Sequence, residues 1–538
     1  MAEPQGSGRH STPLDPSGEL RSLAGDCVHC GFCLPSCPTY QLWGEEMDSP
    51  RGRIHLITQI LDGAEGTAAA AQHLDRCLGC MACVTACPSG VQYDRLIEAA
   101  RGWAEEPPAA PPPHAGQPPP AGQPSLAGQA SRNGPLKGTG PPLPPRSPRD
   151  RAIRAAIFSV FPYPRRLRMA IAPLRAAQRT RLDALLDRSG LADRLSPGLA
   201  AALRLAPDPP PSRGSIRQRV AALRPTSLRR SIARPGNRPI PGSAAFRDRD
   251  AGDAGQESGT SGGVLPHGVI GRSQRVLPER IPARGTRRAV VGMLTGCVQQ
   301  VFFPQVNAAT VNVLAAEGCD VIIPAGQGCC GALSLHGGRR TEAARFARRT
   351  IEIFERAGVD AVVVNSAGCG SAMKEYQDLL AGDAAWGERA ATMAGRVRDL
   401  TEFLVELGPV AARHPLPVTV AYHDACHLAH AQKITAQPRE LLTAIPGLRL
   451  ADIADGGTCC GSAGIYNLVQ PEAARELGQR KADAVAATGA ELLVSGNPGC
   501  TMQIASALAA RGTQLPMMHI AELLDSSIRG IEVSTLLA

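Results

Sequence analysis

Aromatic side chains are scarce: Phe, Trp and Tyr make up only 3% of the 538 residues. Cores built on stacked rings are excluded, so the 43% apolar content must pack through Leu, Val, Ile and Ala. No apolar run reaches the roughly 18 residues of a membrane-spanning helix, so none is expected. Met1 to Leu20 has no apolar h-region, so no secretory leader is expected either. No Gly-x-Gly-x-x-Gly follows a strand-like run, and no other flavin or nicotinamide fingerprint is visible. A chain without a nucleotide cradle would have to rely on a separate chain for any flavin or nicotinamide chemistry.

Charge is unevenly placed. The net charge is +9, yet residues 149–249 hold 22 Arg against 6 Asp, a surplus of 16. Such a stretch could meet an anionic membrane surface, nucleic acid or an acidic partner, or could simply coat a solvated helical linker. No nucleic-acid recognition motif accompanies it, so a nucleic-acid partner is not expected. Cytoplasmic placement, with peripheral contact to the inner membrane as a candidate feature, fits these properties.

Cysteine is abundant, with 17 residues, most of them in tight clusters. In a reducing compartment such clusters serve metals or redox work rather than structural disulfides. The first run is Cys27-x2-Cys30-x2-Cys33-x3-Cys37-Pro38 and the second is Cys77-x2-Cys80-x2-Cys83-x3-Cys87-Pro88. This is the bacterial ferredoxin spacing, in which three thiolates wrap one [4Fe–4S] cube and the fourth ligates the other. Cluster 1 is therefore expected on Cys27, Cys30, Cys33 and Cys87, and cluster 2 on Cys77, Cys80, Cys83 and Cys37. Zinc also takes paired Cys-x2-Cys, but it needs four ligands in total rather than four per run. Between the runs, Ile54, Ile57, Ile60 and Leu61 recur at helical spacing after Pro50, with Asp48 or Ser49 as the cap.

Residues 107–148 hold 15 Pro and 6 Gly and read as a disordered linker. Residues 150–205 return to helical patterning, with Leu167, Ile171, Leu174, Leu182, Leu185 and Leu186 as candidate packing positions. From Arg288 the chain is a tandem repeat. Each half starts with a β-run ending at a cysteine (Cys297, Cys426), reaches Cys-Cys-Gly (Cys329-Cys330, Cys459-Cys460), and closes with an apolar run into a lone cysteine (Cys369, Cys500). Helical stretches Pro304–Glu317, Thr341–Ala357 and Pro471–Thr488 alternate with the strands, which argues for α/β units. Ligands gather outside the carboxyl ends of such strands, so each set of four cysteines could converge on one site. These eight form a candidate third or fourth centre, either a metal or a thiol redox site, or else cysteines retained without metal. Cys319 has no counterpart and reads as core. His423, His427 and His430 lie beside the second set, as ligands, proton-steering groups or hydrogen-bonded residues at a helix start.

The expected organisation is α+β and multidomain. It comprises a disordered 1–20, a helical two-cluster ferredoxin-like domain at 21–104, a Pro-rich linker at 105–149 and a helical segment at 150–206. A mostly disordered stretch at 207–287 precedes cysteine-rich α/β repeats at 288–412 and 413–538.

These residues resemble the glycolate oxidase (glycolate dehydrogenase) iron–sulfur subunit family. The likeness rests on the two ferredoxin runs, Ser49-Pro-Arg-Gly-Arg-Ile54, Gly296-Cys-Val-Gln and Val306-Asn-Ala-Ala309. It extends to Gly328-Cys-Cys-Gly-Ala-Leu333, Tyr422-His-Asp, Cys426-His-Leu-Ala-His430 and Thr458-Cys-Cys-Gly-Ser-Ala-Gly464. The resemblance implies electron acceptance from FAD-bearing partner subunits that oxidise glycolate to glyoxylate, with onward delivery to quinone or another acceptor. It also implies that the eight N-terminal cysteines are the cluster ligands. The alternatives are an iron–sulfur subunit of a lactate or glycerol-3-phosphate dehydrogenase, and a heterodisulfide-reductase-like thiol enzyme. Domains of the latter type end in Cys-x-x-Cys, whereas this chain has Cys369-Gly-Ser-Ala372 and Cys500-Thr-Met-Gln503.

Overall fold

A computed structural model describes residues 14–105, 143–180, 277–454 and 457–537. The N-terminal unit is helical. The helix Pro50–Leu61 forms where the apolar spacing places it, with Pro50 in its first turn and the Ser49 hydroxyl accepting from the Gly52 N–H at 3.0 Å. Its buried Ile54, Ile57, Ile60 and Leu61 pack against Leu74 of the helix Ala68–Arg76 and against Leu96, Ile97 and Ala100 of Tyr93–Glu105. Asp48, the alternative cap, is instead fully buried in an ion pair with Arg53. Both cysteine runs are loops laid on this core.

The Pro-rich stretch and the residues to 13 lie largely outside the described residues, but its end does not. Leu143 is buried in the N-terminal core, and Arg146 pairs with Glu105 at 2.8 Å and with Asp75. Residues 143–149, expected as linker, are therefore part of the fold, because one apolar and one charged side chain there find partners no local pattern reveals. The helices Pro148–Val160, Pro164–Ala170 and Ala172–Thr180 follow. Leu167 and Ile171 are buried beside Val301, and Leu174 is only half-buried. Leu182, Leu185 and Leu186 lie outside the described residues, as does 181–276.

The remainder builds two sheets. The first holds β1 (Arg280–Ile281), β2 (Ala289–Leu294), β3 (Cys319–Ile322), β4 (Ala361–Val364) and β5 (Val397–Asp399), ordered β1-β3-β2-β4-β5. The second holds β6 (Thr419–His423), β7 (Arg449–Ala451), β8 (Leu492–Ser495) and β9 (Met517–His519), ordered β7-β6-β8-β9. All pairs are parallel except β1 on β3. Short Val- and Leu-rich strands buried on both faces suit parallel sheets covered by helices. The antiparallel edge strand β1 falls in the stretch expected as linker, so residues 277–287 belong with the first sheet. In each sheet the chain leaves the first long strand to one side and returns on the other. Neighbouring β2/β4 and β6/β8 thus open a crevice at their carboxyl ends, the usual ligand position in open α/β sheets.

The two sheets share one apolar core. It contains Val291 and Val313 from the first repeat and Val420, Leu492 and Leu524 from the second, with the helix Pro304–Ala316 packed against Ile520–Arg529. Equivalent capping boxes follow the last strand of each sheet, Asp399 with Glu402 and His519 with Glu522. Among the described residues, no helix is long and apolar enough to cross a membrane.

The His519 cap gives a pH prediction. Its imidazole accepts from the Ala521 N–H at 3.1 Å, and burial holds its pKa down to about 4. A neutral ring is thus the folded form. Its contribution is whole above the unfolded value of about 6.5 and drains away as pH falls towards 4. At roughly 1.4 kcal/mol per unit, the loss is about 3 kcal/mol. His519→Asn keeps an acceptor at the cap, so its urea midpoint should fall less than the parent's between pH 6.5 and 4. Parallel declines would show that the ring does not titrate with unfolding.

Candidate metal centres

Each ferredoxin run needs a backbone that turns three thiols to one side. The second and fourth residues after the first cysteine supply this turn in both runs. His29 and Gly31 in the first, and Gly79 and Met81 in the second, all have positive φ, between 53° and 86°. Alternating left-handed residues aim successive N–H groups into the loop, forming a concavity suited to an anion. The Gly79 N–H donates to Cys77 Sγ at 3.3 Å.

One cavity is lined by Cys77, Cys80 and Cys83 together with Cys37, Arg53 and Tyr93. The first run thus lends its fourth cysteine to the second, the set expected for cluster 2. Cys37 Sγ lies 3.3 Å from Thr39 Oγ1. Cys27, Cys33 and Cys87 border the same helical core, while Cys30 is exposed with Val28 and Phe32 beside it. The first loop is the solvent-facing one, and the second is enclosed.

Arg53 is the residue that pattern-reading passed over. It is 1% exposed and donates from Nε to the His73 carbonyl at 2.7 Å, and from its terminal nitrogens to Thr39 Oγ1 at 3.1 Å and Asp48 at 3.2 Å. Burial pushes the Cys77 thiol up, but the Arg53 and Arg101 charges more than offset this and hold it below its usual range. The Cys83 thiol, which burial and the neighbouring thiols govern, is pushed well up. A fixed cation under a pocket of thiols is the charge balance an anionic thiolate–metal group requires. The donor set, its enclosure and this cation fit a [4Fe–4S] cluster. Arg53 sits in phase with Ile57 and Ile60 on the buried helix face, so a charge inside an apolar stripe was the available signal.

In the C-terminal repeats the expected convergence occurs twice. Cys297 follows β2, Cys329 and Cys330 follow β3, and Cys369 lies on the helix after β4; Cys297 and Cys329 sulfurs are 3.7 Å apart. The Cys329 and Cys369 thiols hold the Cys330 thiol well below its usual range, against burial. In the second repeat Cys459 and Cys500 do the same for Cys460. The glycine closing each Cys-Cys-Gly, Gly331 and Gly461, has φ near 90°, and a Cβ on Gly461 would meet the Ala474 carbonyl at 2.6 Å. Cys319 is fully buried in β3, away from both sets, as core.

The ferredoxin unit sits against the repeats. Cys80 and Leu78 pack with Cys426, Cys459 and Tyr466. Thr85 Oγ1 meets His430 Nδ1 at 3.0 Å, and His430 Nε2 meets the Gly457 carbonyl at 2.9 Å, so His430 is a hydrogen-bonded linker between elements. His427 lies tilted against His336 with ring centroids 4.8 Å apart, and His336 pairs with Glu98 at 2.9 Å. His423 and His427 both face the second thiol set, His427 through Nδ1 at 3.5 Å from Cys426 Sγ and His423 beside Cys460 and Cys500.

A helical unit with two cluster loops, a helical connection and two cysteine-rich α/β repeats define an iron–sulfur redox subunit. Residues 24–91 match the 4Fe-4S dicluster domain family, 149–206 the glycolate oxidase iron-sulfur subunit linker region, and 291–374 and 420–505 the cysteine-rich domain. The chain is 31% identical to the probable glycolate oxidase iron-sulfur subunit of Bacillus subtilis over 93% of both chains. It is also 31% identical to the glycolate oxidase iron-sulfur subunit of Escherichia coli over 91% of both. Lactate utilization protein A of an Exiguobacterium species is 33% identical over 44% of this chain and 98% of its own. The chain belongs to the glycolate oxidase iron–sulfur subunit family, and with it to the subunits of an oxidoreductase.

Proposed function

We propose that this chain relays electrons from a flavin-bearing glycolate-oxidising partner towards quinone, using Cys27, Cys30, Cys33 and Cys87 for cluster 1 and Cys77, Cys80, Cys83 and Cys37 for cluster 2. The observation that carries the reading is the enclosed pocket where Cys37 of the first run joins three cysteines of the second. When bound, [4Fe–4S] clusters supply one-electron redox chemistry. The residues divide the remaining work. The loop bearing exposed Cys30, Val28 and Phe32 presents an apolar rim to a partner. Arg53 and Tyr93 hold Cys77, and the repeats shield the second loop from water. Oxidation of an α-hydroxy acid removes an electron pair and protons, for which this chain offers no nucleotide cradle, so that step belongs to the partner. The lactate-linked relatives make lactate the second substrate to test in the same complex.

The test is co-expression with a flavin subunit and rapid mixing with glycolate. Cys83→Ser should leave flavin reduction near the parent rate and lower quinone reduction by a hundredfold or more. Phe32→Glu should slow delivery at unchanged iron content. Quinone reduction at the parent rate in Cys83→Ser would place the clusters off the path, and glycolate turnover by the flavin-free single chain would end the relay assignment.

A further inference from the structure

The two thiol sets occupy equivalent places in equivalent repeats, but they are not chemically alike. Strand register makes the difference explicit. His423, the last residue of β6, pairs with Ser495 at the end of β8. In the first sheet the same place, the end of β2 opposite Val364 of β4, is held by Leu294. Leu294 packs into an apolar cluster with Cys330. His423 is 1% exposed, and neither of its ring nitrogens makes a well-formed hydrogen bond among the described residues; what the ring meets is the Cys460 thiol, whose pKa it helps to lower. An imidazole stripped of water with no more than a thiol to meet is costly, and a buried polar group in that condition points to a ligand.

The ring faces sulfur. A nitrogen of His423 and the sulfurs of Cys460 and Cys500 all lie within 4.8 Å of one another. Around a tetrahedral ion with metal–nitrogen and metal–sulfur bonds of about 2.0 and 2.3 Å, donor atoms stand roughly 3.3–3.8 Å apart. The trio's separations, at most 4.8 Å, exceed these by no more than roughly 1.5 Å. The thiol array continues from this trio through Cys459, which meets Cys460, to Cys426, which meets Cys459. The site also has an outer support: the Asn497 amide donates to Cys500 Sγ at 3.3 Å. Three different loops, after β6, after β7 and after β8, bring these donors to the crevice at the carboxyl edge of the second sheet.

We propose that the second repeat binds a single soft divalent ion of the zinc type through His423, Cys460 and Cys500, with the fourth position open to a neighbouring thiol of the array or to solvent. A mixed imidazole–thiolate set is the donor chemistry that zinc, or ferrous iron in its place, prefers over harder ions. The first repeat lacks the nitrogen donor and serves as the internal control. The ion would lie at the inner end of the thiol array whose Cys459 and Cys426 pack with Cys80, and would brace the loops on which the ferredoxin unit rests. The inference is independent of the glycolate assignment and stands on the second sheet alone.

The experiment uses the full chain, purified anaerobically with its ferredoxin iron in place. Metal is counted by mass spectrometry and its shell read by X-ray absorption. The expected result is one ion per chain beyond the ferredoxin iron, with at least one nitrogen in its shell. Cys460→Ser and His423→Ala should each lower its occupancy tenfold at low free zinc, while Cys330→Ser retains it and the low-temperature EPR of the clusters is unchanged. Iron in place of zinc with the same mixed shell supports the site as well. If a variant fails to fold, Co²⁺ added to the parent chain provides the second reading, its visible bands reporting imidazole and thiolate together. No ion beyond the ferredoxin iron, an all-sulfur shell, extra iron in cluster stoichiometry, or an ion indifferent to His423 would each overturn the proposal.

Discussion

Arg53→Met is expected to destabilise the N-terminal unit by about 3–5 kcal/mol, the usual cost of removing one partner from a buried ion pair. Asp48 is fully buried and would keep only His73 at 3.0 Å and Arg76 at 2.8 Å. The Thr39 hydroxyl and the His73 carbonyl would lose their donor. The same substitution withdraws the cation that holds the Cys77 thiol down. Iron content should therefore fall by about half, by the four-thiolate rule for each cube. Arg53→Lys keeps the charge but not the planar fork that reaches three acceptors, so it should recover iron better than stability. Thermal midpoints and iron analysis on the same preparations separate the two effects. Full iron and an unchanged midpoint in Arg53→Met would show that Arg76 alone balances the buried carboxylate.

Gly52→Ala should be nearly as damaging, although alanine is the better helix former by about 1 kcal/mol. A Cβ on Gly52 would stand 2.0 Å from the Glu46 carbonyl oxygen and 3.0 Å from the Met47 Cα. Those atoms are backbone of the short turn Glu46–Asp48, which the buried Asp48 network anchors. Neither side can yield cheaply, so the loss should exceed the 1–3 kcal/mol typical of overpacking, at roughly 3 kcal/mol or more. Gly395→Ala is the control, because it lies in the helix Gly387–Arg396 with nothing within 4 Å of the added carbon. It should raise the midpoint slightly. Equal midpoints for parent and Gly52→Ala would mean the turn and helix can separate at little cost.

The cluster loops were legible because their ligands are local: four cysteines in eleven residues carry the spacing of the cube they wrap. The repeats were legible because two halves with matching intervals reinforce each other. The helix Pro50–Leu61 announced itself by period and cap. What stayed hidden depended on distant partners. Arg53 draws its acceptors from Thr39, Asp48 and His73, which no window around residue 53 brings together. The two-residue strand β1 is too short to show a period, and it exists because β3 offers an edge. Leu143 and Arg146 stand at the end of a proline-rich stretch whose composition outvoted them. The three histidines at and after the end of β6 looked interchangeable in sequence, and the structure gives each a different neighbour.

The core shared by the two sheets ties their histories together. Pro304–Ala316 and Ile520–Arg529 shield each other's apolar faces, so neither repeat owns a complete interior. A substitution that enlarges Val313 is felt at Leu524 in the other half. Change in either repeat is thus constrained by the other, at the seam between them. The thiol crevices lie at the sheets' carboxyl edges, outside that shared interior, where the copies were free to diverge. The difference between Leu294 and His423 at equivalent strand ends is the kind of difference such a division permits.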